Sequence, residues 1–564
     1  MAKKATKTVR NITEPDLEQG SMKIKKVIIK HFKCFTDFTF ALNDGINIVV
    51  GNNEAGKSTI LEAIHLALTG IINGRYLKNE LSQNLFNNAT TTEYLDSIKA
   101  DSALPPPMIS IEVFFEKRDD LAILEGNGNS LREEVPGVSL RILFDENYQE
   151  EYEEIMKKKE KITSIPIEYY RIDWQSFARS AITARSIPFK SALIDSASSR
   201  FQNGSDIYIS RIVRELLNTN DRVAVTQARR HLGDLFQNDE AIKNINLKIK
   251  NKTSTVSDKK VELQVDTSQN EWDGTLMTYL DDVPFHQIGK GEQCIIKTNL
   301  ALSHKNAKEA SIILLEEPEN HLSHSKLNCL LRNITDKYND KQILISTHSS
   351  FVANKLGLRH LVFLHDKKTV SFNDLDEETQ SFFDKLPGYD TLRMILSKKT
   401  ILVEGPSDEL VVQKAYRIRN KNRLPIEDGI DVISVGTSFL RFLEIAERIQ
   451  KPLSVVTDND GDVVALQKKY SQYLDNSYKG SIRICFDQTV DNGAAKDFNC
   501  NTLEPKIVQV NGLEKMNVIL GTSCQTEDAL HKYMKNNKTE CALRIFDTTE
   551  PIAFPQYILD AIAD

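Results

Sequence analysis

Gly51-Asn52-Asn53-Glu54-Ala55-Gly56-Lys57-Ser58 sets two glycines, a lysine and a hydroxyl at the spacing of a phosphate-cradling loop. Backbone N–H groups in such a loop, and the helix N-terminus behind it, point at phosphate oxygens. Lys57 is placed to reach the β- and γ-phosphates of ATP and Ser58 to hold Mg²⁺; Gly51, Asn52, Asn53, Gly56 and Thr59 line the same candidate site. More than 250 residues later, Ile312-Ile313-Leu314-Leu315-Glu316-Glu317 is an apolar run ending in two carboxylates, the Walker B arrangement. Glu316 stands where the magnesium ion needs an acidic partner, and Glu317 where the attacking water needs polarising. Two acids at the end of a buried strand are costly unless a metal or base role compensates. His348 follows the strand-like Gln342–Ser346, at the place of a γ-phosphate-sensing histidine.

A second acidic constellation has no phosphate loop of its own. Glu404 ends the strand-like Lys399–Val403, and Asp408 follows four residues on, one helical turn away on the same face. Asp458, Asp460 and Asp462 follow the run Leu453–Thr457, and spacing of two in an extended turn would point Asp458 and Asp460 the same way. Such carboxylates suit hard, oxygen-ligated ions, Mg²⁺ or Mn²⁺. Two ions roughly 4 Å apart would clamp the attacking and leaving oxygens of a phosphodiester. An Asp-x-Asp-x-Asp turn can equally hold structural calcium or cap a loop. Lys414, Arg417, Arg419, Lys421 and Arg423 cluster without an intervening acid, as a phosphate-contacting stretch or as a solvated basic helix end.

These residues require particular elements behind them. Strand character over Lys23–Lys30, Phe35–Leu42 and Ile46–Val50, then helical spacing over Lys57–Leu68 closed by Gly70, gives the strand–loop–helix context that a phosphate loop needs. Residues 72–105 read as loop-rich, Met108–Phe115, Val138–Phe144 and Ile165–Ile172 as strands, and Glu150–Lys161 as a solvated charged helix. Gln175, after the last of these strands, is a candidate metal-sensing glutamine or a surface glutamine. Helical periodicity over 177–250, with Ile212, Val213, Leu216 and Leu217 on one face, reads as an insertion splitting the ATPase domain. Strand character resumes at Lys259. After a short strand at Leu361–Leu364 and a polar connector over Asn373–Gly388, strands Lys399–Val403, Asp431–Val435 and Leu453–Thr457 alternate with helices, which implies a parallel sheet. The expected division is 1–21 as a leader, 22–176 and 251–390 as the two parts of the ATPase domain, 177–250 as the insertion, and 391–564 as the second α/β domain.

At 564 residues the chain is long for one core. Net charge −7 gives no global attraction to nucleic acid, so any DNA contact must use local basic patches. Seven scattered cysteines without a C-x-x-C spacing favour reduced thiols in a cytoplasmic setting over disulfides or zinc. No apolar run is long enough for a membrane span. Residues 1–21 are polar and aperiodic and end in Gly20-Ser21 before Met22, as a cloning leader or a natural disordered arm would.

Gly289-Lys290-Gly291-Glu292-Gln293, before a helix over Cys294–Leu302, resembles the signature motif of ABC-type ATPases, in which the signature of one subunit closes on the nucleotide of another. The chain from about Met22 onward resembles the overcoming-lysogenization-defect (OLD) family, which joins an ABC-type ATPase to a C-terminal Toprim nuclease domain. The resemblance rests on the phosphate loop, Glu316-Glu317-Pro318-Glu319-Asn320-His321-Leu322, Ser346-Thr347-His348-Ser349, and Glu404 with Asp458 and Asp460. It implies Glu404, Asp408, Asp458 and Asp460 as metal ligands, Glu504 in Thr502-Leu503-Glu504 as a further one, and Lys538 as the basic residue that stabilises the pentavalent phosphate. It also implies that the helical insertion dimerises. Two departures stand out: Gly436-Thr437 replaces the glycine pair of many Toprim domains, and Glu316 the usual aspartate.

The expected fold is therefore α/β, a split ABC-type ATPase domain with a helical insertion followed by a Toprim domain with a parallel sheet. The expected function is an ATP-hydrolysing, metal-dependent DNA endonuclease, nucleotide-gated, in antiviral defence. Two alternatives remain: a DNA-clamping ATPase with a non-cleaving Toprim domain, and an effector subunit active only beside a helicase-like partner or a retron reverse transcriptase with its small DNA.

Overall fold

The structure is a computed structural model and describes residues 22–100, 104–157, 162–195, 201–202, 205–206, 219–253, 263, 278–303, 311–337, 340–373, 375–385, 391–475, 477–491 and 499–563. The leader and the apolar face at Ile212–Leu217 lie outside them, as does most of the stretch after Lys259. Two compact units form: Met1–Ile46 with Thr59–Leu344, and Asn47–Ser58 with Ile345–Asp564. The chain passes from the first to the second within the strand Gln342–Thr347.

The first unit is built on an antiparallel sheet in the order Phe35–Ala41, Ile24–Phe32, Ile109–Phe115, Val135–Phe144, with Tyr170–Ser176 on the far edge of Val135–Phe144. Ile109–Phe115 is buried along its whole length, as expected of an apolar run inside a sheet. In another sheet, Ser191–Asp195 pairs in parallel with the Walker B strand Ile312–Glu316, with Asp195 opposite Glu316. Helices Thr219–Asn238 and Glu240–Thr253 follow one another across the single residue Asp239, which caps the second by accepting from the N–H groups of Ala241 and Ile242.

Four sequence expectations need correction. The span 72–105 is not simply loop: Asn88–Lys99 is a helix, capped by the Asn87 side chain and anchored by buried Tyr94 and Ile98. The strand expected at Ile165–Ile172 begins at Tyr170, because Pro166 opens a short 3₁₀ turn over Ile167–Tyr169. It runs on to Ser176, so Gln175 lies inside it. Helix does not begin at 177, since Ser191–Asp195 is a strand; a short Ala-Leu-Ile run carries no period that separates strand from helix. The polar connector contains a helix, Glu377–Lys385, which buries Thr379 and Phe383.

In the second unit, Ile46–Gly51 pairs in parallel with Leu361–His365, Gly51 opposite Leu364. The C-terminal domain is a four-stranded parallel sheet in the order Ile430–Ser434, Lys399–Val403, Leu453–Val456, Ile482–Cys485. The sequence reading lacked the last of these strands. Helices Pro406–Arg419, Leu503–Asn511, Leu513–Leu520, Glu527–Asn536, Lys538–Asp547 and Gln556–Ala561 contribute to one apolar core with the sheet, including Val403, Val412, Val456, Ile507, Leu520, Met534, Ile545 and Ile558. No helix among the described residues is long and apolar enough to cross a membrane.

Candidate active site

In a parallel sheet, groups that act on ligands gather beyond the carboxyl ends of the strands. Glu404 leaves the end of Lys399–Val403, and Asp458 follows the end of Leu453–Val456 after Thr457. One Glu404 carboxylate oxygen accepts from the Thr457 hydroxyl at 2.8 Å and from the Asp458 N–H at 3.3 Å, so the two strand ends are tied directly. The Glu404 carbonyl accepts from the N–H of Gly436 at 3.0 Å and the Ser434 hydroxyl at 3.2 Å. Gly436 has φ +61°, a left-handed turn that a glycine makes at no steric cost. Asp408, in the first turn of Pro406–Arg419, reaches back to the Gly405 N–H at 2.9 Å.

Electrostatics bind these acids into one group. Burial raises the Asp458 carboxyl to about 8, helped by the nearby charges of Asp408, Glu404 and Glu504. Burial, then Glu404 and Glu504, raises Asp408 to about 6. Glu504 is 9% exposed and pairs with Lys538 at 3.2 Å. Partial burial pulls the Lys538 ammonium down, but Glu504, Asp408 and Asp458 more than offset it and hold it above the usual lysine value. Tyr557 is a neighbour that the sequence reading missed: burial, with Asp458 and Asp408 next, drives its phenol well above the ordinary value. Nothing in the local sequence around Tyr557 marks it, because it arrives from a helix about a hundred residues beyond Asp458.

Other candidates stand elsewhere. Asp460 has φ +52°, so the turn is not extended; Asp460 is exposed and accepts from the Asn499 amide at 2.9 Å. Asp462 caps helix Val463–Lys469 through the Ala465 N–H at 2.9 Å, an occupation different from metal ligation. The basic stretch also changes meaning. Lys414 is buried and donates to the carbonyls of Phe546 and Thr548 at 2.9 and 2.6 Å. Arg417 bonds Asn422 and lies over the Phe546 ring; Arg419 bonds the Leu559 carbonyl; Arg423 pairs with Asp428. Four of the five thus brace the domain, and only Lys421 has no such tie described.

Four carboxylates against one ammonium, in a largely buried setting, are the charge environment that a hard divalent cation relieves. Among the described residues no three His, Cys, Asp or Glu side chains close to ligand geometry, so the donor set fits in charge and oxygen chemistry and is more open than a finished cage. Glu404, Asp408, Asp458 and Glu504 are the residues that would hold such ions. When bound, the ions would polarise a phosphodiester and lower the pKa of water.

In the second unit, the Lys57 ammonium donates to the carbonyls of Gly51 and Asn52 at 3.0 and 3.2 Å and is 6% exposed. Glu54 and Gly56 have φ +65° and +112°, which curl the loop, while Asn52, Asn53 and Ser58 are exposed. A Cβ on Gly51 would meet the Leu364 carbonyl at 2.6 Å, so the close approach of that strand requires glycine. His348 is half-buried between Gln342–Thr347 and helix Ser350–Leu356. In the first unit, the Thr59 hydroxyl is buried and accepts from the Cys34 thiol at 3.6 Å. Glu316 is half-buried, and Glu317 takes φ +40° and accepts from the Asn320 amide at 2.9 Å. Gln175 donates to Asp173 at 2.7 Å, and Asp173 lies 3.5 Å from Arg141. Helix Lys290–Ser303 begins earlier than Cys294, so Gly291 sits in its first turn, where a Cβ would meet the His321 carbonyl at 2.3 Å; Gly289 stands open before it.

A phosphate loop with Walker B acids, followed by an acidic cluster at the end of a parallel sheet, defines an enzyme that combines an ATPase with a Toprim nuclease. The chain belongs to the family described as AAA domain, whose model matches residues 26–404, and continues into a domain matched over 395–460 by the model for the Overcoming lysogenization defect protein-like TOPRIM domain. The OLD nuclease of Thermus scotoductus is 24% identical over 470 residues, covering 78% of this chain and 82% of that protein. Endonuclease GajA of Bacillus cereus is 21% identical over 463 residues, 78% of this chain and 75% of that protein. The DNA double-strand break repair Rad50 ATPase of Archaeoglobus fulgidus is 41% identical over a short stretch of 58 residues, 10% of this chain and 6% of that protein.

Proposed function

We propose that this protein cuts DNA at the Glu404–Asp458 site with Mg²⁺ or Mn²⁺ and that ATP at the Lys57 loop gates the cut. The observation that carries the reading is the coupling of Glu404, Asp408, Asp458 and Glu504 at one strand-end site, with Lys538 beside them. Glu404 is oriented by Thr457 and by the Asp458 backbone and Asp408 by Gly405, and Lys538, half-exposed and paired with Glu504, would turn its remaining N–H donors to a phosphate oxygen. Glu317, His348 and Ser58 would serve the nucleotide, with Gly289 and Gly291 presenting a signature helix to a second copy. The setting is cytoplasmic antiviral defence, as a homodimer or larger self-assembly.

The open geometry of the acidic cluster favours a second reading, in which DNA or a defence partner completes the site. Under it the isolated chain hydrolyses ATP and cuts nothing. Cleavage of supercoiled and linear DNA by the parent chain and by Glu404→Gln, each with and without divalent metal, separates the two. Metal-dependent cutting by the parent and its loss in the variant are expected, and an uncut substrate beside intact ATP hydrolysis supports the second reading instead.

A further inference from the structure

Asn459 lies between Asp458 and Asp460, yet it points inward: it is 2% exposed. Its amide nitrogen donates to the carbonyls of Asp487 at 2.6 Å and Thr489 at 3.0 Å, and its oxygen accepts from the Gly461 N–H at 3.0 Å. Three bonds to backbone groups pin the turn that presents Asp458, where Asp460 and Gly461 take φ +52° and +86°. The anchoring segment is itself ordered from within. One Asp487 carboxylate oxygen accepts from the N–H and hydroxyl of Thr489 at 2.9 and 2.7 Å. The other pairs with Lys506 at 2.7 Å, and the Lys506 side chain is 4% exposed.

Lys506 stands two residues beyond Glu504 on the helix Leu503–Asn511. A buried lysine is costly unless it is paired, and its removal would strand Asp487. We propose that Lys506, Asp487 and Asn459 form a tie that fixes the Glu504 helix against the Asp458 turn, and so sets the spacing of two acids that meet from distant parts of the chain. The side chains of all three bond to protein groups, so they act as positioning residues. The inference rests on the reading of Glu504 and Asp458 as holders of a divalent cation.

A positioning tie and a merely stabilising contact give different metal responses. The test uses the full chain as parent, Lys506→Met, Lys506→Arg, Asp487→Asn and Asn459→Ala. Thermal unfolding is followed against Mn²⁺ concentration, with ATP hydrolysis as the check that each variant is folded. Single-turnover DNA cleavage is titrated with the same ion. Lys506→Met and Asn459→Ala are expected to need about tenfold more Mn²⁺ for half of the thermal shift and for half-maximal cleavage, the loss typical of an outer-shell partner. The cleavage rate at saturating Mn²⁺ should fall less than this. Lys506→Arg should recover most of the Mn²⁺ affinity, and Lys506→Met combined with Asp487→Asn should cost little more than either alone. Variants that lower the metal-free melting temperature but keep the parental half-saturation within twofold would overturn the tie. If Lys506→Met loses ATP hydrolysis, Asn459→Ala decides on the same criterion. A parent with neither a Mn²⁺-dependent thermal shift nor cleavage would overturn the metal-site reading itself, and the tie with it.

Discussion

Asp458 and Asp408 carry the sharpest consequence at the scale of single residues. Their folded-state carboxyl values, about 8 and about 6, lie above the ordinary 3.8. Between those limits the folded protein holds more protons than the unfolded one. The associated stability is therefore complete below pH 3.8 and is lost as pH rises through about 6 for Asp408 and about 8 for Asp458. Without divalent metal, the C-terminal domain should melt at a lower temperature at pH 8.5 than at pH 5.5. Mg²⁺ or Mn²⁺ should raise the melting temperature more at the higher pH, because ligation needs the deprotonated acids. Calorimetry across that pH range with chelator or metal checks both signs, and a metal effect that is larger at pH 5.5 would contradict the assignment. Glu404 and Asp458 were legible as residues because each ends an apolar run with a turn behind it. The same-way orientation expected of Asp458 and Asp460 did not hold, since alternation along a strand does not survive a left-handed residue, and Asn459 takes the inward place. Tyr557 and Lys506 carry no local signal: their proximity to Asp458 and Asp487 is created by the fold.

At the scale of elements, the strand Lys399–Val403 was readable to the residue, since the three consecutive apolar residues Ile401-Leu402-Val403 are followed at once by Glu-Gly-Pro. Ile482–Cys485 was not, because Ile-Arg-Ile-Cys is too short to show a period. The helix Pro406–Arg419 shows how packing overrides composition. Its basic end suggested phosphate contact, yet Lys414 clamps the carbonyl end of helix Lys538–Asp547. Lys414→Met should destabilise the protein by about 2 kcal/mol, the scale of lost hydrogen bonds from a charged group. It should leave the salt dependence of DNA binding unchanged, whereas losing a phosphate contact would shrink that slope by about one unit. Chemical denaturation and a salt series on the same variant distinguish the two. The signature helix Lys290–Ser303 gives a further prediction. A Cβ at Gly291 would sit 2.3 Å from the His321 carbonyl, against backbone that cannot swing aside. Gly291→Ala should cost about 1–3 kcal/mol of stability, the usual overpacking range, and reduce ATP hydrolysis. Gly289→Ala, with open space at its Cβ, should leave stability unchanged in the same melts.

At the scale of the whole molecule, the ATPase and the acidic site are encoded as separate chemistries in one chain, and their coupling is the central claim. Lys57 rests on the carbonyls of its own loop, a contact that a nucleotide phosphate would replace. The proposed gating requires that ATP binding change the loop in this way and that the change alter cutting at Glu404. The most direct measurement is plasmid cleavage with Mg²⁺ or Mn²⁺, with and without ATP, in the parent, Glu404→Ala and Lys57→Ala. Cleavage should fall by about 100-fold or more in Glu404→Ala, on the scale of lost transition-state stabilisation, and should respond to ATP only while Lys57 is present. Cleavage that is identical with and without ATP in the parent, or that survives in Glu404→Ala, would contradict the claim.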